Sequence, residues 1–454
     1  MIFASTYGFA PNNTAEANSA ALQRAADQGG EILVDGRGIA AISEPVVLGD
    51  DVTLRFENGL YLRREPCKGE NGYVLVNKGA FTGEENRHIR IEGMRLICNG
   101  VENERPAAQT DKLVPGLNGM LSFYHVRDLE IRDFEMLDLG PQVFGIHICS
   151  FENVLIENVR IEGRKDAVHL GRGRRFVIRH GIFRTFDDPI ALNAHDYSSS
   201  NPALGWIEDG LIEDCYDLND KDTTGFFCRI LAGSWLDWFS GMKVQNSDTV
   251  VYNHRLYRVF MEPDGKEYTS LTPPSHEHGT AEYDGICWVM VQEGDEHNCG
   301  CRNIHFKDIF LEKNRPIAFA IHFDKDPYSR SVYPNSEMPV QSDIIFENIY
   351  MNANVPVFLF AKTPVNNVRV IHSVFDHSAI FLKDVMTEGE SYERTNIILE
   401  GCTFKGSGTQ PFVKIEGERP ARISAFGSSV EGKNYVPLVP EGVEIGENDI
   451  GLTV

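Results

Sequence analysis

Three acids have the type and spacing to do chemistry: Asp166, which precedes the apolar run A-V-H-L, and Asp187-Asp188, which precede P-I-A-L 21 and 22 residues later. If the two runs are strands on successive coils of one solenoid, they stack about 4.8 Å apart, and the three carboxyl groups meet on one outer face. Like charges gathered in this way are costly unless they share a proton or a cation. That is the condition for dividing general-acid and general-base duties between carboxyl groups. An Asp-Asp pair alone says little, since Gly49-Asp50-Asp51 ahead of V-T-L-R-F reads as a turn. The third acid one coil away, with each element just ahead of an apolar strand, marks the second pair as functional.

The elements that must position these acids repeat along the chain. A seven-residue phrase of a polar residue, an apolar/any alternation, then Asn, Asp or Gly and an apolar residue occurs as H-I-R-I-E-G-M from His88, D-L-E-I-R-D-F from Asp128 and N-V-L-I-E-N-V from Asn153. It recurs as N-I-H-F-K-D-I from Asn303 and D-I-I-F-E-N-I from Asp343, and in looser form from Arg175, Asp209, Asn367 and Asn396. Alternation over a few residues closed by such a residue predicts a short strand ending in a tight turn. The starts at 128, 153 and 175, and at 343 and 367, lie 22 to 25 residues apart, which is one coil of a three-sheet parallel β-helix whose rungs bury each other's apolar faces. The expected fold class is therefore all-β, a right-handed parallel β-helix. Residues 14–28, between a polar cap at Asn13 or Thr14 and Gly29-Gly30, predict a short helix that covers the N-terminal end of the core.

One interval breaks the rhythm. The 94 residues from Asp209 to Asn303 exceed a coil by about 60 to 70 residues, an excess that needs structure of its own. The expected organisation is 1–233 as β-helix with the acids, 234–294 as an inserted small β-module, and 295–454 as β-helix again. The insert, with W-L-D-W-F-S-G-M from Trp235, resembles small modules related to chitin-binding modules in phage tail and carbohydrate-active proteins. Its aromatic residues Trp235, Trp238, Tyr252, Tyr257 and Trp288 either stack on sugar rings or form the module's own core.

Composition narrows the partners. With 43 basic against 66 acidic residues the net charge is −23, which repels nucleic acid and anionic membrane surfaces. Nine scattered cysteines, Cys67 among them, show no disulfide framework, and the pair Cys299/Cys301 lacks a second pair at zinc-site spacing. No metal and no cofactor is expected. The opening residues M-I-F-A-S-T carry no basic segment followed by an apolar run, which predicts a cytoplasmic protein, or a secreted one if a leader precedes this sequence. The sequence leaves the oligomeric state open.

From about Tyr7 to Leu231 the chain resembles the polygalacturonases, glycoside hydrolases of family 28, whose N-T-D, G-D-D and R-I-K motifs lie on consecutive rungs. The resemblance implies that Asp187 is the general acid, that Asp166 and Asp188 hold the attacking water, that Arg229 of C-R-I-L is the motif arginine, and that the anomeric configuration inverts. Arg164-Lys165, Phe186 and Leu231 depart from the three motifs, and the family's G-H-G is missing. Without the motif lysine a galacturonide substrate is less favoured, although Lys165 among the basic residues 164–175 can compensate. A related resemblance is to the α-galactosidases of family 110, whose acid pair is followed by Asn-x-His; here Asn193 and His195 follow, two residues later than in that pattern. His147 and His169, 22 residues apart on successive strands, either line the same groove or form a buried ladder. The expected substrate is a galacturonide or galactoside of an oligo- or polysaccharide. Two alternatives stand beside hydrolysis: a carbohydrate-binding, tailspike-like protein without turnover, and a polysaccharide lyase in which the acids bind Ca²⁺ and Arg229 or Lys165 abstracts a proton.

Overall fold

The structure is a computed structural model that describes residues 1–65, 73–98, 114–198, 200–327, 329–383, 395–406, 412–416, 421–431 and 444–453; Cys67 lies outside them. It is nearly all β, with 57% of the described residues in strands and 5% in helices. The chain forms two compact units, one mainly Met1–Ile190 and the other mainly Gly225–Val454.

In the first unit the strand Gly119–Leu139 runs parallel to Phe144–Gly163, pairing Leu129 with Val154, and the next coil pairs Val154 with Phe176. Both ladders follow the repeat read from the sequence. Asp128 and Asp133, and Asn153 and Asn158, all have positive φ between 53° and 57°, a conformation that short polar side chains tolerate best. The phrase is thus bounded by a left-handed residue at each end, where the sequence alone placed a turn only at its close. The bends do not interrupt pairing, so what read as short strands form continuous runs of 21 and 20 residues. Side chains stack as regularly as the backbone: Asn153 Nδ2 donates to Asp128 Oδ1 at 2.8 Å. Leu129, Ile131, Ile156 and Ile178 fill the interior.

The helix Ala15–Ala26 begins where Thr14 Oγ1 accepts from the Ala17 N–H and buries Ala21, Leu22, Ala25 and Ala26. Asn18 Nδ2 donates to Ala41 O at 3.1 Å, and the Gln23 amide exchanges two hydrogen bonds with the Val47 backbone. The helix therefore satisfies polar backbone groups at the sheet as well as covering apolar ones.

In the second unit Asn303 Nδ2 donates to Asp209 Oδ1 at 2.7 Å, so the long interval is one coil with an excursion. The excursion carries a five-stranded sheet of Leu236–Asp237, Thr249–Tyr252, Arg255–Val259, Ile286–Glu293 and Thr280–Tyr283, mostly antiparallel. Trp235, Tyr257 and Trp288 are buried, the last two with Val250, Val259 and Ile286, so these three aromatics pack the interior and offer no ring to a sugar. Trp288→Ala should cost about 3–5 kcal/mol. Thermal melting would check this, and an unchanged midpoint would deny the side chain that role. Among the described residues no helix is long and apolar enough to cross a membrane.

Candidate active site

The acids are brought together by backbone stacking one coil apart. The Gly145 N–H donates to Asp166 O at 2.9 Å, and the Ala167 N–H to Asp188 O at 3.1 Å. Just upstream, Gly163 has φ +147°, and a Cβ there would lie 2.2 Å from Leu139 O. Only glycine allows that approach, and it lets the Arg164 N–H reach Leu139 O at 2.8 Å. Thr185 Oγ1 donates to Asp187 O at 2.8 Å and fixes the turn that carries the acid pair.

The carboxylates of Asp166, Asp187 and Asp188 lie within 4.8 Å of one another. They differ in access. Asp166 and Asp188 are 3% and 2% exposed, whereas the Asp187 side chain is 22% exposed. The expectation that all three sit outside the core is corrected for the first two, which stacking on both sides has covered.

Lys165, read from the sequence as part of a basic run, is the cation this cluster requires. Its Nζ donates to Asp187 Oδ2 and lies 3.5 Å from Asp166 Oδ1, and it stands over the Phe144 ring at 5.5 Å. Burial alone would lower its pKa, but the carboxylates of Asp166 and Asp187, with Asp188, outweigh burial and hold it above the usual lysine range. This ammonium offsets part of the negative charge that the acids gather. Arg174 and Arg175 of the same run pair instead with Glu152 on the surface.

His147 and His169 face each other in register, both wholly buried, with ring centroids 4.8 Å apart. They form a ladder inside the fold. His169 Nδ1 meets Asp166 Oδ2 at 2.9 Å, and its ring stacks on Phe144, so it orients one acid. His147 Nδ1 accepts from the Asn118 N–H at 2.9 Å.

Asn193, His195 and Arg229 belong to the second unit. Asn193 Nδ2 donates to Asp196 Oδ2 at 2.7 Å, and Asp196 Oδ1 accepts from the Tyr197 N–H. His195 is 1% exposed, with Nε2 3.3 Å from Thr249 Oγ1. Burial, aided by Arg258, pushes its pKa down to about 3, which makes it a neutral packing residue. Arg229 is bound to Asp324 through Nη2, with Asp196 Oδ1 at 3.9 Å and the Tyr197 ring at 5.7 Å. Asp196 was legible in principle, directly after N-A-H; Asp324, 95 residues beyond Arg229, left no local signal.

Burial pushes the pKa of Asp324, and likewise of Asp248, up to about 6 against the pull of Arg229 and Arg330. The ordinary carboxyl value is about 3.9, so between the two values the folded chain binds protons that the unfolded chain does not. This contribution to stability is present at low pH and is lost as pH rises through about 6. The melting temperature should therefore climb between pH 7 and pH 5, and Asp324→Asn should flatten the climb; an identical pH profile in the variant would refute the assignment.

No protein-family model matches this chain, and no curated protein does. Among solved structures, the N-terminal fragment of gene product 12 of bacteriophage phi29 is similar at 12% identity and TM-score 0.51, over 99% of this chain and 70% of that one. A family 87 α-1,3-glucanase from Streptomyces thermodiastaticus gives 10% identity and 0.48 over 100% and 68%. A family 28 exopolygalacturonase from Yersinia enterocolitica gives 13% and 0.43 over 96% and 79%. With parallel coils in register in each unit, the chain has a right-handed parallel β-helix fold.

Proposed function

We propose that the chain is a glycoside hydrolase that cleaves a galacturonide or galactoside bond with inversion: the three acids around one ammonium share a proton, Asp187 gives it to the leaving oxygen, and Asp166 and Asp188 hold the attacking water and take up its proton. The observation that carries this reading is the gathering of three carboxylates, only one of them accessible, around a single half-buried cation. Asp187 alone can touch a glycosidic oxygen. The covered pair, with Asp166 oriented by His169, suits a group that binds water and stays put. Carboxylates within 4.8 Å are closer than the roughly 6.5–9.5 Å usual for inversion, so the stereochemistry follows from the resemblance to family 28 and from a water held by two adjoining carboxylates.

Lys165 disfavours the form of the lyase reading in which it is the base. A lysine held above its usual pKa range by its neighbours is protonated and cannot serve as the base that abstracts a proton. Incubation with aryl galactosides and oligogalacturonides should release reducing ends with no absorbance of unsaturated product, and chelator should change nothing. Unsaturated products, or loss of activity in chelator, would transfer the site to the lyase reading.

A further inference from the structure

The second unit carries an aromatic column that the acid chemistry does not use. Its strands Cys228–Leu231, Ile317–His322, Val357–Ala361, Ala379–Lys383 and Val413–Glu416 stack in parallel. Ile230, Ile321, Ala361 and Leu382 face inward and are buried. The register aligns the alternate residues Arg229, Ala320, Phe360, Phe381 and Lys414, of which Ala320 is covered and Lys414 exposed. Along this face Phe226, His322, Phe360 and Phe381, all half-buried, follow one another at 5.4, 6.5 and 5.6 Å between ring centroids.

Most of the charges beside the column are engaged, and Lys414 at its far end is exposed. Arg229 is bound to Asp324, Lys383 Nζ lies 3.2 Å from Glu416, and Lys362 Nζ donates to Phe323 O at 2.9 Å. Burial, with Arg229 and Lys362 nearby, holds His322 well below the usual histidine range, so its ring is an uncharged aromatic surface. A half-exposed aromatic row one coil apart offers apolar area to the C–H faces of successive sugars. With Arg229 and Lys383 paired to acids, a uronate or sulfate finds little along the rings to bind, and a chain of net charge −23 repels polyanions.

We propose that this face is a binding site for an extended neutral polysaccharide, whose sugar rings lie along Phe226, His322, Phe360 and Phe381. The site goes beyond the proposed hydrolysis and is measurable without it, in the full chain carrying Asp187→Asn. Affinity electrophoresis in gels containing galactan, xyloglucan, starch or polygalacturonate should show retardation by at least one neutral polymer that depends on Phe360 and Phe381, and no such dependence for polygalacturonate. High salt should leave the retardation unchanged, because no charge is involved. Phe360→Leu with Phe381→Leu keeps apolar bulk while removing the rings, and should weaken retardation at least tenfold; Phe360→Tyr should preserve it. Retardation by polygalacturonate that the Leu double variant abolishes, retardation by neutral polymers equal in the Leu double variant, or none in any neutral gel would overturn the proposal. Sedimentation showing a dimer that the double variant dissociates would assign the face to a second copy of this chain, and would also overturn it. Hydrolysis of aryl glycosides by the wild-type chain is read separately, so the failure of either idea leaves the other standing.

Discussion

Asp187→Asn is expected to lower turnover by roughly 10²–10⁴-fold, the contribution of one positioned acid, while leaving thermal melting nearly unchanged. Its side chain is the exposed member of the trio at 22%, so the substitution leaves no cavity and keeps the shape of the group. The loss should fall on kcat rather than KM, because a proton donor acts in the transition state. Asp188→Asn contrasts with it. That residue is 2% exposed, so both activity and melting should drop. A large fall in melting for Asp187→Asn would show that its ion pair with Lys165 serves the fold rather than the reaction.

Lys165→Met should be the most destabilising single change near the site, costing about 3–5 kcal/mol, because it leaves buried carboxylates without their cation. The pH dependence supplies the sign. The folded pKa of Lys165 is raised, so in the wild-type chain its stabilisation is complete at every pH below the ordinary lysine value of about 10.4 and is lost only as pH rises beyond it. In the variant the carboxylates repel one another at neutral pH and recover when protonated, so stability should increase from pH 7 toward pH 4. Melting curves across that range check this, and a variant as stable as the wild-type chain at pH 7 would show that the acids need no ammonium between them.

Much of the architecture was legible because a solenoid writes its geometry into a period. The polar residues at 128, 153 and 175 mark the coil and hold left-handed conformations in the structure, and the same period placed Asp166 against Asp187 and Asp188. Access was not legible, because burial depends on what stacks above and below a residue and not on its place in the phrase; Asp166 and Asp188 were therefore expected at the surface. Partners from distant coils were equally hidden. Lys165 read as one of several basic residues until its contact with Asp187 was visible, and Arg229 read as the motif arginine until Asp324 was found bound to it. His195 failed for the opposite reason. Its spacing suggested a motif, while the excursion that follows it supplied Thr249 as a packing partner.

Proton NMR of the anomeric region during the first minutes of hydrolysis tests the mechanism most directly. If Asp166 and Asp188 deliver water opposite the bond that Asp187 breaks, the first sugar released carries the anomeric configuration opposite to that of the substrate, and mutarotation follows later. Release of the same anomer, the appearance of an olefinic resonance, or no released sugar from any galactoside or galacturonide offered would contradict it.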